Sequence, residues 1–87
     1  MKIDVYDTYF TASDGRMMHF DVLVPDGTEK AVAYCFAQKW LRSLGEDPAM
    51  LHVERCNFCH TEHIRPDWKK DIDSKGYFIL KMEGCPE

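Results

Sequence analysis

Residues 2–24, KIDVYDTYFTASDGRMMHFDVLV, decide the fold. Two runs, 2–10 and 17–24, alternate in polarity and are rich in β-branched and aromatic types, the pattern of paired strands. Asp14-Gly15 lies between them, and glycine tolerates the positive φ of a hairpin turn. A two-residue turn there pairs Val5 with Val24, Asp7 with Val22 and Tyr9 with Phe20. Those residues, with Met18, are expected on the core side. Tyr6, Thr8, Phe10, His19 and Asp21 are then expected to form the outer, solvated face. On that face His19 and Asp21 point the same way, being two apart on one strand. An imidazole beside a carboxylate, with tyrosine donors nearby, suits a small-molecule ligand face of Tyr6, Thr8, His19 and Asp21. The plainer alternative is an ordinary solvated sheet face or a dimer surface. Asp7 is the odd residue on the expected core side, because a buried carboxylate must be paired, hydrogen-bonded or protonated.

Outward from the hairpin, Pro25-Asp26-Gly27 leads to a helix over Thr28–Leu44, capped by Asp26 or Thr28. Its stripe is Ala33, Phe36, Ala37, Trp40, Leu41 and Leu44, and Gly45 and Pro48 end it. A short strand is expected at Leu51–Val53, then a polar loop over 56–65. A second helix is expected from Pro66 to Lys75, with Trp68 and Ile72 inward. Tyr77–Met82 is apolar on both faces, which marks a central strand. The order β-β-α-β-α-β predicts an α+β fold: one mixed four-stranded sheet with both helices packed on one face.

The chain has 87 residues, the size of a single domain over 1–87. Fifteen acidic against eleven basic residues give a net charge of −4, which argues against a nucleic acid or an anionic membrane as partner. A protein or small-molecule partner remains. Met1-Lys2-Ile3-Asp4 lacks a secretory signal pattern, so a reducing cytoplasmic setting is expected. The four cysteines are then thiols, metal ligands or redox groups rather than structural disulfides.

Four stretches carry a resemblance: Val5-Tyr6-Asp7-Thr8-Tyr9, Met18-His19-Phe20-Asp21-Val22, Cys56-Asn57-Phe58-Cys59-His60, and Gly76-Tyr77-Phe78-Ile79-Leu80-Lys81-Met82-Glu83-Gly84-Cys85. In this order and spacing the chain resembles a small bacterial family known as domain of unknown function 2024. The resemblance implies a stand-alone domain of this size that shares the Cys-x-Phe-Cys-His stretch and the closing Met-Glu-Gly-Cys. It implies no catalytic assignment.

Cys56 and Cys59, with His60, His63 and Cys85, admit four readings. One is a structural zinc site of Cys56, Cys59, His63 and Cys85, since a two-residue gap lets two thiolates take adjacent corners of a tetrahedron. Another is thiol redox chemistry at Cys56 and Cys59. A third is covalent haem on the Cys-x-x-Cys-His pattern. The last is ordinary packing of small apolar side chains in and near a polar loop. Cys35 lies off the helical stripe and calls for no explanation beyond packing. Asp71-Ile72-Asp73 is not a calcium loop, because Lys75 and Met82 stand where ligands belong. No serine sits in a nucleophile elbow. The composition and motifs therefore favour a binding or interaction module over an enzyme.

Overall fold

The computed structural model describes residues 1–86. Its elements are β1 (Lys2–Thr11), β2 (Met17–Pro25), α1 (Lys30–Ser43), β3 (Cys56–His63), α2 (Pro66–Lys75) and β4 (Phe78–Glu83). The strand expected at 51–53 is absent: Leu51 and His52 join two single 3₁₀ turns, Pro48–Met50 and Val53–Arg55. The sheet order is β3-β1-β2-β4, and each neighbouring pair is antiparallel, so the sheet is not mixed.

The hairpin loop differs from the expected one. Ala12 N–H donates to Arg16 O at 2.8 Å and Gly15 N–H to Ala12 O at 2.9 Å. Gly15, at φ 88°, is the left-handed last residue of a three-residue loop, Ser13-Asp14-Gly15. The extra loop residue shifts the register by one: Asp7 pairs with Asp21, Tyr9 with His19 and Phe10 with Met18. Because side chains alternate across a strand, this slip carries all of β1 to the other face relative to β2.

One face therefore collects Tyr6, Phe10, Met18, Phe20, Val22 and Val24, and α1 covers it with Ala33, Ala37 and Leu41. Ile3, Val5 and Leu23 lie on the opposite face, and α2 covers them with Trp68 and Ile72. The helices thus pack on opposite faces, not on one. The topology requires two crossings: α1 carries the chain from β2 past β1 to one edge, and α2 carries it from that edge to the other. With the first face filled by α1, α2 takes the second. β4 is accordingly an edge strand rather than a central one. It is apolar on both faces because Ile79 meets the α1 layer while Phe78 and Leu80 meet the α2 layer.

Residues 56–63, expected as loop, form the other edge strand. Asp4 ties this edge to the turn before α1, accepting hydrogen bonds from Thr61 Oγ1 (2.6 Å) and Gly27 N–H (2.9 Å). The expected cap of α1 is replaced by Glu29, which makes no side-chain capping bond. Thr28 instead bonds back to Pro25 O at 2.5 Å. No helix among the described residues is long and apolar enough to cross a membrane.

Candidate functional site

The layer formed by α2 covers the end of its sheet face where Ile3, Val5 and Leu23 lie. Farther along the same face stand Asp7, Tyr9, His19 and Asp21, all partly exposed. Their closeness follows from the ladder. Ala12–Arg16 and Asp26–Lys2 are bonded pairs, so even-numbered positions of β1 exchange hydrogen bonds with β2. Asp7–Asp21 and Tyr9–His19 are the non-bonded pairs between them, where Cα atoms approach to about 4.5 Å and side chains stand closest. Like charges directly opposite in such a pair destabilise a sheet.

His19 relieves part of that repulsion. Its Nε2 hydrogen-bonds Asp7 Oδ1 and lies 3.9 Å from Asp21 Oδ1. The imidazole is stacked on Tyr9 with centroids 4.3 Å apart and planes 10° from parallel, which fixes its orientation. Burial, followed by the hydrogen bond and charge of Asp7, pushes the Asp21 carboxyl up to about 6, against the opposing pull of His19 and His60. The cluster is a half-buried acid pair bridged by an oriented imidazole. Such a set can move a proton or ligate a cation. Among the described residues, Asp7, His19 and Asp21 are the group of His, Cys, Asp and Glu side chains close enough to share one ion, with ligand atoms within 4.8 Å of one another.

The expected ligand face divides. His19 and Asp21 belong to the open site, whereas Tyr6 and Thr8 lie buried under α1. Tyr6 Oη donates to Thr28 O at 2.9 Å and Thr8 Oγ1 to Tyr6 O at 3.1 Å, both structural bonds. In their place come Asp7 and Tyr9, which the two-residue turn had put on the core side. The signal that would have found them is Gly15 as the third residue of the loop, the left-handed position of a three-residue hairpin.

The expected zinc ligands do not converge. Cys56 is buried in the α1 layer, opposite Thr8. Cys59 is exposed at the bulge of β3, between the residues that pair with Val5 and Tyr6. His63 is exposed at the far end of β3, about 20 Å from Cys56 at ~3.3 Å per residue. Cys85 follows β4 at the opposite edge of the sheet, where its thiol donates to His19 O at 3.5 Å. The two thiols of the redox reading, Cys56 and Cys59, are likewise unpaired, the first buried under α1 and the second exposed at the bulge of β3. Burial also pushes the Cys56 and Cys85 thiols up, away from thiolate character. His60 is held by Glu62 at 2.5 Å. Cys35, assigned to packing, is exposed on α1.

The family model described as domain of unknown function (DUF2024) matches residues 1–82. No curated protein matches the chain. Among solved structures, it is similar to the NMR structure of protein NE1680 from Nitrosomonas europaea. The two are 48% identical, with a TM-score of 0.85, over 99% of this chain and 100% of that one.

Proposed function

The chain belongs to the DUF2024 family, and from that premise we propose that it is a binding module whose working site is the open half of the sheet face, where Asp7, His19 and Asp21 hold a divalent first-row metal ion. The observation that carries this reading is the Asp7–Asp21 pair. Two carboxylates face each other at the closest kind of cross-strand position, with a fixed imidazole against one and 3.9 Å from the other. A local rule of sheet construction is broken there without any gain in packing, which is characteristic of functional sites. A cation between the carboxylates removes the conflict.

Two carboxylate oxygens and one imidazole nitrogen suit zinc, manganese or iron(II) rather than the all-oxygen shells of calcium or magnesium. A zinc ion held there would take bonds of about 2.0–2.2 Å to these oxygens and this nitrogen. Three protein ligands leave coordination positions open to water or to a ligand from solution.

Titration calorimetry of the untagged protein with zinc chloride tests the proposal. One equivalent should bind to wild type, and His19→Ala and Asp21→Asn should each weaken binding at least tenfold. Cys59→Ser should leave it unchanged. Unaltered binding in His19→Ala, or no binding to wild type, refutes the site.

A further inference from the structure

We propose a second binding site, for a small organic carboxylate, in the cavity beside the free end of β1. β3 stops at Cys56, opposite Thr8, while β1 continues to Thr11. Since the even positions of β1 bond to β2, the ladder turns the backbone N–H and C=O groups of Thr11, beyond the Thr8–Cys56 pair, toward the side that β3 leaves open. The chain does not fill that side. Arg55 and Cys56 donate their N–H groups to His52 O and Val53 O within their own 3₁₀ turn. What remains is a cavity of about 530 Å³, bounded by the strand edge and by the loop from Gly45 to Arg55. That volume suits a small molecule.

Glu46, Asp47 and Arg55 are the charged side chains lining this space, and the guanidinium is what selects the ligand. Glu46 is occupied by Ser13, whose N–H and hydroxyl it accepts at 3.0 and 3.4 Å. Asp47 accepts the N–H of Ala49 at 3.0 Å. Arg55 makes no ion pair among the described residues, and its guanidinium donates to the Met17 sulfur at 3.8 Å. The fork of a guanidinium matches a carboxylate in two parallel hydrogen bonds, and the strand-edge N–H of Thr11 adds a neutral donor beside it. Tyr9 and Met50, both exposed and both lining the cavity, give apolar contact for the body of the ligand. The site needs no metal, so it stands or falls independently of the cluster behind Tyr9.

Benzoate serves as the probe, with benzamide and benzylamine as uncharged and cationic counterparts, in amide NMR titrations of the metal-free protein. Benzoate should shift the Tyr9, Thr11 and Arg55 amides saturably, with a millimolar Kd of the order expected for so small a ligand. Arg55→Met should weaken it about tenfold or more, with Arg42→Met as a control that leaves it unchanged. Benzamide should bind more weakly than benzoate. Absence of saturable shifts at those amides, equal binding by Arg55→Met, or tighter binding of benzylamine would overturn the proposal.

Discussion

Asp21 is the residue where the energetics of the fold and of the site meet. Its carboxyl is raised from 3.8 to about 6 by burial and by Asp7. Between those values the folded chain holds a proton that the unfolded chain has lost. Stability of the metal-free protein should therefore be greatest below about pH 4 as far as this group is concerned, and should fall as pH rises through about 6. Asp21→Asn removes the ionisation and should stabilise the metal-free protein at pH 7 by about 1–2 kcal/mol, measured by urea unfolding. At pH 4 the gain should vanish. The residues of this site are individually visible in the sequence: His19 and Asp21 as a strand pair, Asp7 as a misplaced carboxylate. Their convergence is not visible. It depends on whether the hairpin loop has two residues or three, and Asp14-Gly15 satisfies both turn chemistries.

At the scale of elements, glycine placement and edge polarity explain what was legible. α2 was, because Pro66 starts it and Gly76, at φ 92°, ends it. β3 was not: only Cys56 of its eight residues is buried, so an edge strand with polar side chains on both faces reads as a loop. β4 misled in the opposite sense, since two helices on opposite faces make an edge strand look central. The tail beyond β4 depends on Gly84, where φ is 66° and a Cβ would lie 2.1 Å from Met17 O. Gly84→Ala should destabilise the protein by about 2–4 kcal/mol. Thermal unfolding checks this, and an unchanged midpoint would mean that the tail does not pack against β2 in this way.

The whole molecule is a sheet with two unequal apolar layers. Each layer carries one tryptophan: Trp40 of α1 meets Phe20 with its ring tilted, and Trp68 of α2 stacks on Phe78. The layers share the central strands, so they should unfold together. In Trp40→Phe and Trp68→Phe, the remaining tryptophan fluorescence should give the same urea midpoint as circular dichroism of that variant. An earlier loss of Trp68 signal would make the α2 layer a separate unit. The smaller reach of α2 is what leaves the Asp7–His19–Asp21 half of its face open, and the proposed metal site depends on that opening. Amide NMR during addition of manganese(II) tests it most directly. Line broadening should begin at Asp7, Tyr9, His19 and Asp21 and disappear in His19→Ala. Broadening that begins instead at residues 56–63, or that spreads without focus over the acidic surface, would contradict the site.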